Sequence, residues 1–116
     1  MNKAELEERT KRFALQVILF VAALPENKVN NVVGYQLLKS GTSIGANYRE
    51  ANRAESRKDF IHKIGIVEKE AAEAQYWLDI SQEAHLGNDE ERQRLLHESG
   101  ELVAIFTSIG RTTKRR

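Results

Sequence analysis

Cysteine is absent from this chain of 116 residues, and proline occurs only once, at Pro25. The missing thiols exclude disulfide bonds and thiolate-bound metal sites. Aromatic residues make up only 7% of the chain, whereas 41% is hydrophobic and 30% is charged. These proportions are typical of one small, helix-rich domain. The formal net charge of +1 does not indicate a nucleic-acid-binding protein, so such a function would depend on how the charges are distributed.

Long hydrophobic runs are also missing. The clearest run, Phe13 to Leu24, follows Lys11 and Arg12 and so looks superficially like a secretion signal. Acidic residues crowd the segment before it, Gln16 interrupts it, and the helical repeat already begins at Leu6. The run is also shorter than the roughly 20 residues that a bilayer core requires. We therefore expect a cytoplasmic protein without a signal peptide or a membrane span.

Patterns for metal binding or nucleophilic catalysis are scarce. A di-iron bundle needs two Glu-x-x-His motifs, and this chain offers only the related segment Asp59 to His62. His62 and His97 lie away from the predicted core stripes, and His85 falls at a helix end without a partner histidine. The sequence therefore predicts no metal, no cofactor and no catalytic residue.

The strongest candidates for acid–base chemistry are two neighbouring carboxylates, Glu70 and Glu73. Such a pair can act as acid and base when a cleft shifts its pKa values. A salt bridge with Lys63 or Lys69 at the edge of the helix is the simpler interpretation. We expect a protein that is not an enzyme.

Apolar residues recur at spacings of three and four along nearly the whole chain, which predicts helices and almost no loop. Pro25 ends the first helix, Ser56 and Asp59 form a capping box at the start of the third, and Gly87 is expected at its left-handed C′ position. Because long helices with short connections must fold back on each other, we predict an all-α, antiparallel up-down four-helix bundle in a single domain. The predicted helices cover about residues 3–24, 28–53, 57–86 and 89–111, followed by a basic C-terminal tail at 111–116.

Three glycines, Gly34, Gly41 and Gly45, fall on one stripe of the second predicted helix. Each costs roughly 0.5–1 kcal/mol relative to alanine, so a compensating interaction is expected. A phosphate-binding loop would need a strand before the glycines and a helix start after them, and neither is present. The stripe therefore predicts close packing against another helix.

The segment Gln36–Ala51, together with Ser56–Ile61, Glu68–Ala71 and Tyr76–Leu78, resembles the four-helix bundle proteins related to those encoded in 23S ribosomal RNA intervening sequences. The resemblance is closest from Val33 to Ile80. It implies an up-down bundle that assembles into a ring-like homopentamer. It also implies a relation to the accessory variability determinant proteins of retroelements, which look like nucleic-acid-binding accessories to a reverse transcriptase.

Ser43, Asn47 and Glu50 align along the second helix and resemble polar positions of the family motif. We expect them to hydrogen-bond to the adjacent helix or its capping turn and so to fix the register of packing. Binding of a ligand is the alternative interpretation.

The first and third helices carry a second apolar stripe on the side opposite the predicted core. A monomer would leave both stripes in water, which favours a subunit interface, unless a broad core buries them. The residues predicted for this interface are Leu15, Ile18, Leu19, Ile66, Tyr76, Trp77 and Ile80.

The up-down topology brings basic residues to one end of the bundle: Arg49, Arg53, Arg57, Lys58, Arg111, Lys114, Arg115 and Arg116. The opposite end is acidic, with Glu26, Glu83, Asp89, Glu90 and Glu91. One interpretation is an oligomeric accessory that binds RNA or DNA without sequence preference. The basic residues could instead only complement helix C-termini. The alternative function is an oligomeric scaffold that binds another protein, such as a reverse transcriptase.

Overall fold

The computed structural model describes residues 1–115, which form four long α-helices joined by short turns. The helices are α1 (Lys3–Ala22), α2 (Lys28–Asn52), α3 (Arg57–Glu83) and α4 (Asp89–Arg115). Together they form a rod of 46 × 20 × 20 Å. Successive helices pack side by side, and α4 returns to α1 to close the bundle. This arrangement confirms the predicted all-α four-helix fold.

Contacts between neighbouring helices run in opposite chain order, as an antiparallel bundle requires. At one end of the α1–α2 pair Gly34 faces Val21, and towards the other end Gly45 faces Thr10. In the α3–α4 pair, Gln82 bonds to Arg92 at one end, and Arg57 bonds to the Thr113 carbonyl at the other. The seam between α1 and α4 is the most open one, and the Arg9 guanidinium bridges it with two hydrogen bonds of 2.7 and 2.8 Å to Glu98.

Each helix begins at a side-chain cap. Asn2, Asn27, Ser56 and Asn88 each accept a hydrogen bond from the backbone amide three residues later, at 2.8 to 3.0 Å. These bonds satisfy amides that have no partner within the helix. The polar residues that interrupt the apolar pattern therefore fix where the helices start.

The core consists mainly of apolar residues at spacings of three and four along each helix, with Thr10, Ser40, Ser81 and Ser99 buried among them. Burial of each large side chain contributes about 1.5–3 kcal/mol. The ring of Tyr48 packs edge-on against Phe106 with the centroids 5.2 Å apart, and so ties α2 to α4 across the bundle. The largest apolar side chains that are almost fully buried are Phe13, Val17, Phe20, Leu37, Ile44, Ile64, Val67, Leu78, Leu102 and Phe106.

The end of α3 differs from the prediction. The helix ends at Glu83, and His85, not Gly87, occupies the left-handed C′ position with φ of 55°. The amide of Leu86 donates to the Ser81 carbonyl at 2.9 Å, which completes a Schellman motif around His85. Gly87 also has a positive φ, of 73°, and there a Cβ atom would meet the Phe20 ring at 2.7 Å. Its role is therefore to let the turn pass close to α1.

Three other boundaries also differ, and the smallest difference is in α2, which ends at Asn52, one residue before the predicted limit. Helix α1 ends at Ala22, two residues before the predicted limit, because the chain turns there ahead of Pro25. Helix α4 continues to Arg115, so the basic tail predicted after Arg111 is helical throughout the described residues. Arg116 lies outside them.

The glycine stripe of α2 lies directly against α1. A Cβ atom on Gly41 would be 3.1 Å from both methyl groups of Val17, and one on Gly34 would be 3.1 Å from Val21. Gly45 differs from the other two glycines because a Cβ there would also contact the backbone of Thr10, at 3.4 Å. Any larger side chain would push the two helices apart.

Candidate nucleic-acid interface

The end of the bundle where α2 and α4 finish and α3 begins carries the predicted basic cluster. All of its described members are solvent-exposed. We call this set the basic pole: Arg49, Arg53, Arg57, Lys58, Arg111, Lys114 and Arg115. Arg116, the remaining predicted member, lies outside the described residues. Because three helices contribute, the structure brings together basic residues that are up to 66 positions apart in the chain, from Arg49 to Arg115.

The last turns of α4 are held in place by specific contacts. The Arg57 guanidinium donates to the carbonyl of Thr113, and the Thr113 hydroxyl donates to the Ile109 carbonyl at 2.7 Å. Gly110 is buried and leaves room for the Glu68 side chain of α3. These contacts position Lys114 and Arg115 on a packed helix, close to the start of α3.

Few of the basic-pole residues are neutralised by a carboxylate. Arg49 is 3.5 Å from Glu7, and Arg57 is occupied by a backbone carbonyl. Among residues 1–115, no ion pair involves the remaining five members, Arg53, Lys58, Arg111, Lys114 and Arg115. The basic pole therefore offers several cations to an external anion.

The opposite end of the rod carries the predicted acidic residues Glu26, Glu83, Asp89, Glu90 and Glu91, all of them exposed. The basic end also carries carboxylates, among them Glu7, Glu50 and Glu55, so the net charge of +1 conceals an uneven distribution of charge between the two ends. Such a charge separation orients the molecule in the field of a polyanion.

Beneath the acidic end lies a buried arginine that the sequence did not reveal. Arg92 is 1% exposed and donates to the Gln82 side chain at 2.8 Å, to the Leu86 carbonyl at 2.8 Å, and to Asp89. It joins the turn after α3 to the start of α4. Because the first turn of a helix is ordinarily exposed, no local pattern pointed to this role.

The predicted polar network of Ser43, Asn47 and Glu50 does not join α2 to another helix. The Ser43 hydroxyl donates to the Lys39 carbonyl at 2.6 Å, and the Asn47 amide donates to the Ser43 carbonyl at 2.8 Å, so both bonds stay within α2. Glu50 is exposed and has no hydrogen bond among the described side chains. The expected bonds to an adjacent helix or capping turn are therefore a wrong prediction, because these side chains turn back to carbonyls of their own helix.

The polar contacts between α1 and α2 come from other residues, beside the basic pole. The Asn52 amide donates to Glu7 at 2.9 Å, and Arg49 approaches the same carboxylate. Burial raises the pKa of the Tyr48 hydroxyl, the nearby Asn52 side chain lowers it, and the charge of Glu7 raises it again. Glu7 thereby anchors the end of α2 to the start of α1.

The predicted interface residues fall into two groups. Leu15, Ile18 and Leu19 of α1 are exposed, Leu19 by 69%. On α3 only Tyr76 is as open, at 55%, whereas Ile66, Trp77 and Ile80 are half-buried. Trp77 packs against the core, so its predicted place opposite the core is wrong.

A further apolar patch was not predicted. Val29, Val32 and Tyr35 are all exposed near the start of α2, on its outer face. Their three-residue spacing is the signal that could have revealed this patch from the sequence.

The two carboxylates singled out in the sequence, Glu70 and Glu73, are half-buried on α3. Burial raises the pKa of Glu70, the neighbouring Glu73 carboxylate raises it further, and the charges of Lys69 and Lys39 lower it. Lys63 instead pairs with Asp59 at 3.2 Å.

Nowhere in the described chain do three or more His, Cys, Asp or Glu side chains gather as a metal site. Within residues 1–115, none of the helices has both the length and the apolar character to cross a membrane.

The family of the chain follows from its similarity to known proteins. The model of the 23S rRNA-intervening sequence protein family matches residues 2–108. The chain belongs to this family. It is also similar to the crystal structure of a protein of unknown function from Bacteroides thetaiotaomicron, described as a member of the S23 ribosomal protein family, with 34% identity and a TM-score of 0.85. That similarity covers 96% of this chain and 99% of the other, whereas no curated protein matches.

The family match divides the basic pole. The basic-pole residues from α2 and α3, which run from Arg49 to Lys58, lie inside the matched range, which ends at residue 108. The three members on α4, Arg111, Lys114 and Arg115, follow that range. The last turns of α4 therefore add positive charge to an end of the bundle that already carries basic residues within the matched part of the chain.

Proposed function

We propose that this member of the 23S rRNA-intervening sequence protein family is a non-enzymatic, cytoplasmic homo-oligomer that binds RNA or DNA through its basic pole. The observation that carries the proposal is the cluster of exposed cations from three helices at one end of the rod. Phosphate groups neutralise such a cluster and release their counterions, which supplies most of the affinity of nonspecific binding. The acidic opposite end directs the polyanion to the basic pole.

Binding of this kind carries little sequence preference. The long side chains of Lys114 and Arg115 project from a helix end, where they can follow phosphates but do not form a rigid element that enters a groove. We therefore expect similar affinities for unrelated sequences of the same length and charge. An accessory that accompanies a nucleic-acid enzyme, such as a reverse transcriptase, fits this property.

Self-association is the second part of the proposal, and the exposed α1 stripe supports it. Leu15, Ile18 and Leu19 form one apolar surface that a partner subunit would cover. Cyclic assembly would place several basic poles side by side and raise the local field. The homopentamer implied by the family resemblance is the stoichiometry that we expect.

Multi-angle light scattering tests the assembly. The mass should be several times the 13.2 kDa of one chain, near fivefold for a pentamer. Leu19→Lys should reduce the mass, whereas Val32→Lys, which places a lysine at an exposed apolar position on α2, should not. A monodisperse monomer at micromolar concentration would contradict this part of the proposal.

Fluorescence anisotropy with a labelled RNA of mixed sequence tests binding at the basic pole. The double variant Lys114→Gln, Arg115→Gln should bind several-fold more weakly than the wild type at the same salt concentration. The matched control Lys28→Gln, Arg94→Gln also removes two exposed cations, but outside the basic pole, and should bind almost normally. Substitution is preferable to truncation because the end of α4 is packed against Arg57.

The same assay distinguishes the alternative function. If the intact oligomer binds neither RNA nor DNA at low salt, the nucleic-acid proposal is wrong. The scaffold function would then be favoured, with the exposed patch of Val29, Val32 and Tyr35 as the surface offered to a protein partner. Equal weakening by both double variants would show that binding depends on overall charge and not on the basic pole.

A further inference from the structure

The outer face of α3 continues the basic pole along the length of the rod. Six residues spaced alternately by four and three positions form one straight line on this face, and all six are exposed. We call them the outer α3 stripe: Lys58, His62, Gly65, Lys69, Ala72 and Tyr76. Its first part carries amino and imidazole groups, and its last residue is an exposed aromatic ring.

The middle of the stripe is open to a ligand. A Cβ atom on Gly65 would have no heavy atom within 4 Å, so no internal contact requires a glycine there. A chain lying along α3 would therefore meet no side chain between His62 and Lys69 on this line.

The far end of the stripe has a different chemistry. Tyr76 is 55% exposed, and its ring meets the Trp77 ring edge-on, with the centroids 5.1 Å apart. Beside it, Gln75, Asp79 and Leu96 help to line an open hollow of about 410 Å³ between α3 and α4. The Asp79 carboxylate repels phosphate, whereas an aromatic ring and an amide suit the face and edge of a nucleobase.

We infer that the outer α3 stripe is a binding track for a single-stranded nucleic acid, whose phosphates contact Lys58, His62 and Lys69 and one of whose bases stacks on Tyr76. Lys69 and Tyr76 are about 10 Å apart along the helix, from its rise of about 1.5 Å per residue, so one short stretch of strand reaches both. Bases of a duplex are stacked on each other and cannot stack on Tyr76. The inference rests on the proposed function and adds the kind of nucleic acid to it.

The test compares a labelled oligouridylate of roughly 12 nucleotides, within the range of known single-strand site sizes, with an RNA duplex of similar length. Tyr76→Ser should weaken binding of the single strand about fivefold or more, the lower range for loss of one stacked base, and should leave duplex binding unchanged. Tyr76→Phe should retain near wild-type affinity. Tyr35→Ser removes a similarly exposed ring from α2, 62% accessible, and should have no effect.

Trp77 provides a second readout because it is the only tryptophan of the chain and touches Tyr76. Its fluorescence should change when oligouridylate saturates the wild type and the Tyr76→Phe variant, and should stay constant with the duplex. This signal does not depend on the label of the probe.

The outcomes separate this inference from the proposed function. Absence of binding to both probes would overturn the proposed function and the inference together. Normal binding of both probes by Tyr76→Ser would overturn the inference alone and leave the basic pole as the site. A loss of oligomer mass in Tyr76→Ser would identify Tyr76 as a subunit contact and would also overturn the inference.

Discussion

Gly45→Leu should destabilise the bundle, because Gly45 packs directly against the backbone of α1. A Cβ atom at this position would be 3.1 Å from the Thr10 hydroxyl oxygen, 3.3 Å from its Cβ and 3.4 Å from its carbonyl carbon. The hydroxyl is fixed by hydrogen bonds to the carbonyls of Leu6 and Glu7, so Thr10 cannot simply turn away. The further carbons of leucine would have to displace the backbone of α1.

The magnitude follows from two opposing effects. Replacing a helical glycine by a residue with a side chain gains about 1 kcal/mol in helix propensity, and overpacking of a core costs about 1–3 kcal/mol or more. Because the backbone of α1 has to move, the cost lies at the upper end of this range, and for Gly45→Leu we expect a net loss of about 2 kcal/mol, or roughly 8 °C in Tm for a domain of this size. The matched control is Gly65→Leu, because a side chain at position 65 meets open space. Its higher helix propensity should raise the free energy of unfolding by about 0.8 kcal/mol.

Circular dichroism at a fixed protein concentration measures both variants under urea and heat. The concentration must be held constant because self-association would add to the apparent stability. Gly45→Ala should gain less than Gly65→Ala, since its neighbours have to move by a few tenths of an ångström. If Gly45→Leu and Gly65→Leu stabilise the protein equally, the conclusion that α1 and α2 pack closely at Gly45 is wrong.

Three further predictions concern polar and turn residues. Arg92→Met should lower the free energy of unfolding in urea by about 1–3 kcal/mol, because turn carbonyls lose their donor, whereas the exposed control Arg94→Met should change it by less than about 0.5 kcal/mol; equal effects would contradict the buried role. His85→Gly should raise Tm by relieving the left-handed backbone, and Gly87→Ala should lower it; a change of the same sign in both variants would refute this assignment. Because burial raises the pKa of Glu70 in the folded state, stability should fall as pH rises through that pKa, and Glu70→Gln should remove this fall in urea titrations carried out on both sides of the ordinary glutamate pKa; an unchanged pH profile would count against it.

The fold could be predicted from the sequence because its determinants are local. Alternating spacings of three and four identify the buried face of each helix, and Ser56 and Pro25 mark boundaries through backbone chemistry that needs no tertiary contact. The end of α3 could not be predicted in the same way. Gly87 looks like a helix terminator, but it is required by the proximity of Phe20, which only the folded bundle creates.

For the candidate site, the clustering of the basic residues could be predicted from the sequence, but the contacts between helices could not. Topology alone gathers the basic residues at one end, since helix direction fixes which termini meet. Contacts between helices depend on axial rotation and offset, so the pairing of Glu7 with Arg49 and Asn52 could not be read from spacing. The same limit explains Trp77, for which a small rotation of α3 decides between solvent and core.

The salt dependence of binding tests the central claim most directly. The association constant of the intact oligomer for a labelled single strand should fall linearly with salt on logarithmic axes, because neutralising each phosphate releases counterions. Lys114→Gln, Arg115→Gln should reduce the slope by about 0.7 for each phosphate that is no longer neutralised, and Lys28→Gln, Arg94→Gln should leave it unchanged. Binding that is undetectable at low salt, or equal slopes for all three proteins, would contradict a nucleic-acid site at the basic pole.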